Sequence, residues 1–298
     1  MAALERRCPE VSDHKCIRKP PCGDECELDG VNWCPGMPKH GRPPRWIREA
    51  RAAREADQLA SDAGPADDSG SRRRLLATMP LHSISSTYGE AGLRERFAAE
   101  IAEIPEPDRH CLEDALQLAS RLHREDWRQN EPYINHPLRV AIRIIAHYGI
   151  HDPDIIAAAL LHDTVEDHAA ELAPNGRPDP QAALTELADR FGLRAAGLVA
   201  DVSNPKYNPY LDGDDRKEHY RQHVAASLDT SPWARVIKAS DFTDNGVGLI
   251  HTTGPRIRYL ARRYTGLVPV LREMISRSDT PLSEPARQRI LAQLDQAA

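Results

Sequence analysis

No stretch of about 18 consecutive apolar residues occurs in the sequence, the minimum for a helix that crosses a bilayer, and the mean hydropathy is −0.58. A membrane-spanning helix is therefore excluded. An apolar run is also missing from the first ten residues, MAALERRCPE, where a secretory signal would carry one; the expected location is the cytoplasm. Aromatic residues are scarce, 5% of the chain with three Phe, and nowhere do apolar and polar residues alternate over the length of a strand. Sheet is not expected, and Ala-rich stretches favour helix. Nor is positive charge in excess: 39 Lys and Arg face 45 Asp and Glu, a net −6. That excludes a protein that coats nucleic acid with its whole surface, but leaves room for a local basic patch. Beyond residue 34 cysteine nearly vanishes, with Cys111 alone after Cys8, Cys16, Cys22, Cys26 and Cys34. Thiols so clustered in a chain without an export signal point to metal ligands rather than a disulfide framework.

What is present divides the 298 residues into three zones. Residues 1–59 are a Cys-rich segment followed by a basic helix, with Arg42, Arg45, Arg48, Arg51 and Arg54 spaced by three. Residues 60–92 begin with ASDAGPADDSG, small and rich in helix breakers, and are expected to be a flexible linker. From 93 to 298 one amphipathic pattern follows another, which predicts an all-α domain. Asp108–His123 carries Leu112, Leu116, Ala119 and Leu122 on one face. Pro153–Asp167 is apolar almost throughout until it meets charge, the pattern of a buried central helix.

The charge at the end of that helix, LLHDTVEDH (160–168), is the strongest chemical signal. Four ionisable groups, His162, Asp163, Glu166 and Asp167, crowd one helix end, which is costly to bury unless something pairs them. A divalent cation does so, because imidazole and carboxylate are ligands for Mn²⁺, Fe²⁺ or Zn²⁺. Upstream, EPYINHPLRVA supplies His136; downstream, VIKASDFTDNGVGL supplies Asp241 in an apolar turn. The order His…His-Asp…Asp is the ligand pattern of the HD phosphohydrolase superfamily.

Within that superfamily the segments PYINHPLRVA, IIAAALLHDTVEDH, LADRFGLRAAGLVADVSNP and VIKASDFTDN resemble the hydrolase domain of the bifunctional Rel/Spo alarmone enzymes, and more closely the stand-alone small alarmone hydrolases. The resemblance implies an all-helical HD-domain bundle that removes the 3′-pyrophosphate of guanosine alarmones. It implies that His136, His162, Asp163 and Asp241 hold Mn²⁺, and that Glu166 and Asp167 activate water. Arg128 and Asn245 fall where the family meets its substrate, although one residue is missing between Arg128 and Pro132. Phe242 stands where the family has a basic residue, and His168 where it usually has a small polar one. Only about fifty residues follow Asn245, so hydrolysis without synthesis is expected. Some relatives neutralise toxic alarmone synthetases, which makes an antitoxin role and a toxin or RNA partner part of the expectation. The alternatives are an HD phosphatase on another nucleotide, such as NADPH, a dNTP or pyrophosphorylated RNA, and a non-catalytic alarmone-binding module.

The spacing Cys8-x7-Cys16-x5-Cys22-x3-Cys26 resembles the finger of RNA-binding proteins that ends in His, with Cys in its place. Four thiolates suit a closed structural Zn²⁺ site. Between these cysteines there is no aromatic residue on which a base could stack. A zinc knob without RNA, or unligated cysteines, are the other readings of the same residues.

Overall fold

A computed structural model describes residues 11–12, 15–16, 69–128, 131–204, 213–248, 261 and 264–296. Prolines and aspartates set the helix starts. Asp152 accepts a hydrogen bond from the Asp154 backbone N–H, and Asp179 accepts from those of Gln181 and Ala182, each just before a proline in the first turn. These side chains satisfy donors that a helix N-terminus leaves open, while proline supplies a preset φ where no N–H is needed. The helices are α1 (Ser69–Thr78), α2 (Leu81–Ile101), α3 (Asp108–Leu122), α4 (Asn135–Ala146), α5 (Pro153–Leu161), α6 (Thr164–Leu172), α7 (Pro180–Phe191), α8 (Leu193–Val202), α9 (Gly213–Asp229), α10 (Pro232–Asn245), α11 (Val268–Ser276) and α12 (Glu284–Gln296). The described strands are two hairpins, β1 (Val11–Ser12) with β2 (Lys15–Cys16), and β3 (Trp127–Arg128) with β4 (Glu131–Pro132). The all-α expectation is met, and among the described residues no helix is long and apolar enough to cross a membrane.

Two helices form the centre. Every residue of α5 from Ile155 to Leu161 is buried, and so is α4 from Asn135 to Ile145. They pack on each other; α2 and α10 cover α4, while α3 and α8 cover α5. Of the predicted apolar face of α3, Leu112, Leu116 and Ala119 are buried and Leu122 is partly buried against the core. At about 1.5–3 kcal/mol per fully buried large aliphatic side chain, this layer is the main source of stability.

The structure revises two expectations. Residues 69–92, read as the later part of a linker, are helical and belong to the core: Leu76 and Ile84 are fully buried, Leu81 nearly so, and the Arg96 guanidinium donates to the Leu76 carbonyl. The helix is interrupted at Gly89, whose φ of 62° lies in the left-handed region that glycine enters without a Cβ clash. The second revision is that Pro153–Asp167 is not one helix. It breaks at His162–Asp163, between α5 and α6. Thr164 Oγ1 donates back to the Leu161 carbonyl across this turn at 2.7 Å.

The end of α4 carries a pH-sensitive group. Burial, together with Arg143, Arg289 and Arg96, pushes the His147 imidazole down from 6.5 to about 4. An unfolded chain takes up that proton near pH 6.5 and the folded one only near 4, so stability falls as pH drops through this window. One proton sets a ceiling of about 1.4 kcal/mol per pH unit, and solvent screening of the partly exposed ring lowers it. In His147→Gln the loss of stability between pH 7 and pH 4.5, measured by urea unfolding, should shrink by about 1 kcal/mol. An unchanged difference would assign the acid sensitivity to other groups.

Candidate active site

His136 sits in the first turn of α4, His162 and Asp163 in the turn between α5 and α6, and Asp241 near the end of α10. Three separate elements thus deliver the four side chains to one place. The Nε2 atoms of His136 and His162 are 3.2 Å apart. Asp241 Oδ1 is 3.3 Å from the first and 3.8 Å from the second, and Asp163 Oδ2 is 3.7 and 3.2 Å from them. The outer ring nitrogens fix the tautomers. His162 Nδ1 lies 2.9 Å from the Ala159 carbonyl, and His136 Nδ1 lies 2.8 Å from Asp244 Oδ2. Both partners only accept, so both Nδ1 atoms carry protons and both Nε2 atoms face the same point. Against its burial, Asp163 and Asp241 hold the His162 imidazole protonated well above the usual range, and a bound cation would take the place of that proton and free the Nε2 lone pair. Two imidazole lone pairs and two carboxylates meeting at a buried point are the donor set of a divalent transition metal, with each histidine oriented from behind as metal-bound histidines are.

Electrostatics agree with a cation-binding centre. Burial opposes the charge on Asp241, but the Lys238 ammonium, 3.0 Å from Oδ2, and the two imidazoles outweigh it and hold the carboxyl well below its usual range. Burial likewise opposes ionisation of Asp163, and His162 and His136 with the Tyr133 hydroxyl hold it low. Tyr133 stays protonated, because burial and the carboxylates of Asp163 and Asp167 push its pKa well up, and its hydroxyl donates to Asp163 Oδ2. Asn245 Nδ2 donates to Asp241 Oδ1, and its own Oδ1 is buried with no partner among the described residues. An orphaned acceptor at this place fits a ligand that brings a donor or a cation.

Behind His136 lies a network that the sequence reading did not contain. Arg139 donates to both oxygens of Asp244, at 2.8 and 2.9 Å, and also grips Glu131; Arg143 donates to Asp244 Oδ1 at 3.1 Å. Arg139 and Asp244 are 1% and 4% exposed. Removing one member leaves the others buried and unpaired, which costs about 3–5 kcal/mol. Asp244→Ala should lower unfolding stability by that amount and loosen His136, as urea unfolding and metal content will show; a loss below 1 kcal/mol would mean that the arginines find other acceptors. The sequence did carry a signal: Arg139 and Arg143, four apart in the otherwise apolar PLRVAIRIIA, require buried carboxylates.

Glu166 and Asp167 open α6 and are half-buried. Glu166 Oε2 accepts from the backbone N–H and the side-chain amide of Asn204, at 3.2 and 2.8 Å, so the end of α8 orients it. Asn204 was not among the residues singled out from sequence. Arg128, in β3, lies in the field of Tyr264, Tyr133, Asp244 and Asp241; burial opposes its charge, and this field holds its pKa above the ordinary value. The structure therefore brings His136, His162, Asp163 and Asp241 together, with Asn245 bonded to Asp241 and Arg128 within their electrostatic reach. Phe242, in the place of a basic residue, is buried with its ring edge-on to Tyr264. Of the proposed zinc ligands, Cys8, Cys22 and Cys26 lie outside the described residues, as does the basic segment 39–54; Cys16 is in β2.

Residues 115–229 match the family model of the HD domain. The chain is 37% identical over 134 residues to the mouse (Mus musculus) protein named guanosine-3′,5′-bis(diphosphate) 3′-pyrophosphohydrolase MESH1, covering 44% of this chain and 64% of that one. It is 33% identical over 161 residues to the Aquifex aeolicus guanosine-3′,5′-bis(diphosphate) 3′-pyrophosphohydrolase, covering 54% of this chain and 20% of that one. A GTP pyrophosphokinase of Streptomyces coelicolor is 51% identical over 135 residues, 45% of this chain and 14% of its own length. The chain thus spans just under two thirds of the mouse relative and a fifth of the Aquifex one.

Proposed function

We propose that the HD domain carried by this chain, matched over residues 115–229, is a metal-dependent hydrolase of the 3′-pyrophosphate of guanosine alarmones. One observation carries the reading: the two inward-facing imidazoles, His136 and His162, close with Asp163 and Asp241 on a single point, next in sequence to the acidic pair Glu166 and Asp167. The identity to curated 3′-pyrophosphohydrolases supports the substrate class.

In this reading His136, His162, Asp163 and Asp241 hold a divalent ion, with Mn²⁺ as the physiological one. Once bound, such an ion acts as a Lewis acid toward phosphoryl oxygen and brings the pKa of water from 15.7 toward about 7. The chain's own residues do the rest. Glu166, braced by Asn204, and Asp167 orient the attacking water and take its proton. Arg128 and Asn245 meet the anionic nucleotide. The water oxygen joins phosphorus, the ribose 3′ oxygen leaves and is protonated, and the products are GDP or GTP with pyrophosphate. Lys238 and Tyr133 hold Asp241 and Asp163 in place.

The reading extends to a cytoplasmic setting, a structural Zn²⁺ on Cys8, Cys16, Cys22 and Cys26, and an antitoxin-like role with a toxic synthetase or RNA as partner. The cysteine spacing and the basic stretch 39–54 are what support the last two.

The test is a turnover assay with Mn²⁺ against guanosine tetra- and pentaphosphate alarmones, NADPH, dNTPs and pyrophosphorylated RNA. Release of pyrophosphate from the alarmones alone is expected. Turnover only of another nucleotide would replace the substrate, and tight alarmone binding without turnover would make the domain a sensor.

A further inference from the structure

A second cluster of metal-ligating side chains lies one aromatic ring away from the first. His123 opens the turn after α3, Asp126 precedes β3, and His168 is in α6. Asp126 Oδ2 is 2.8 Å from His123 Nδ1 and 2.6 Å from His168 Nε2, and the two nitrogens are 3.1 Å apart. We propose that His123, Asp126 and His168 form a second site for a divalent transition-metal ion of the zinc type, sharing no ligand with the His136–His162–Asp163–Asp241 set.

Hydrogen bonding alone accounts poorly for this triangle. If both ring nitrogens carry protons, two N–H bonds converge on one oxygen with their hydrogens in contact. If only one does, the other nitrogen presents a lone pair to a carboxylate oxygen at hydrogen-bond distance. A cation at the meeting point removes the conflict, since all three atoms then offer lone pairs to it. A tetrahedral zinc site with bonds of about 2.0–2.1 Å places its donor atoms about 3.4 Å apart, so the side chains need spread only slightly.

Local structure is built toward the same point. His168 departs from helical geometry inside α6, with φ −128° and ψ 29°, and its Nε2 faces the cluster. Its other nitrogen, Nδ1, lies 3.5 Å from Glu171 Oε1, the carboxylate–imidazole arrangement that supports metal-bound histidine from behind. His123 is fixed by a stack on Tyr133, ring centroids 4.5 Å apart, while its Nε2 is buried with no partner among the described residues; its polar engagement is with the cluster. The His123 side chain is fully buried, and those of Asp126 and His168 are 16% and 11% exposed, so the site has one face toward solvent through which an ion enters. Two imidazoles and one carboxylate select a zinc-like ion over Mg²⁺ or Ca²⁺, which prefer oxygen ligands. Three protein ligands leave a coordination position for water, as in catalytic rather than structural zinc sites. Tyr133 separates the two sites: its ring is also edge-on to His136 at 5.8 Å, and its hydroxyl reaches Asp163.

The proposal does not rest on the hydrolase reading and is tested without an activity assay. Full-length protein is stripped with chelator, reloaded with Zn²⁺, desalted and assayed for zinc per chain. Asp126→Asn with His168→Gln should hold one equivalent less than wild type, and His162→Ala with Asp241→Asn should lose a different one, so that all four changes together lose two. Zinc on the cysteines is common to every protein and cancels. Should the first double variant lose its helical circular dichroism, Asp126→Asn alone, isosteric and partly exposed, is titrated against a chromophoric chelator and should bind this equivalent at least tenfold more weakly. Equal zinc content in wild type and a folded Asp126→Asn/His168→Gln protein, or unchanged affinity in Asp126→Asn, overturns the proposal.

Discussion

Protein carrying Asp163→Ala or His162→Ala is expected to lose the metal of the His136–His162–Asp163–Asp241 set and, with it, turnover by about 10³–10⁴-fold, which corresponds to several kcal/mol of transition-state stabilisation. The loss follows from how the four groups depend on one another. Asp163 Oδ2 accepts from Tyr133 and faces both imidazoles. Its removal leaves two buried ring nitrogens facing each other at 3.2 Å, with Asp241 as the remaining anion. His162→Ala instead removes one of the two nitrogen donors and leaves Asp163 with only His136 opposite. Either change also breaks a buried charged network, so a drop in unfolding stability accompanies the loss of metal. Elemental analysis that finds wild-type metal in Asp163→Ala protein would remove the assignment.

Glu166→Gln and Asp167→Asn should separate catalysis from metal binding. Both substitutions keep size and most hydrogen bonding. Glutamine at 166 still offers an oxygen to the Asn204 backbone and side-chain donors that hold the glutamate at 3.2 and 2.8 Å, so orientation is retained and basicity is lost. Turnover should fall by about 10²–10⁴-fold, with metal content unchanged in both proteins. Near-normal rates in both variants would show that water is activated elsewhere.

These expectations could be framed from sequence because the chemistry is written locally. His162, Asp163, Glu166 and Asp167 fall within six residues, and the all-α pattern from Asp108 onward follows from apolar spacing and proline positions. Other features depend on partners distant in the chain. Asp244 is legible as a buried acid only once Arg139, 105 residues away, is seen to grip it. The break after α5 was hidden because Leu161 and Val165, four apart on either side of it, keep the helical spacing of apolar residues. Residues 69–92 looked like linker because their core contribution is sparse, chiefly Leu76, Leu81 and Ile84 among serines and glycines, with a glycine kink at 89. His123 and Asp126 gave no signal as a pair with His168, since β3 and the kink in α6 bring them together. The cysteine expectations fall almost wholly on residues outside the described structure.

The central claim is that a metal held by His136, His162, Asp163 and Asp241 drives release of pyrophosphate from the 3′ position of a guanosine alarmone. Its most direct measurement is pyrophosphate release from guanosine tetraphosphate by full-length protein as purified, after chelation, and after Mn²⁺ is restored, with Asp163→Ala carried in parallel. The account predicts activity that vanishes on chelation and returns with Mn²⁺ in wild type but not in Asp163→Ala. Pyrophosphate release that survives chelation, or that Mn²⁺ restores equally to Asp163→Ala, would contradict it.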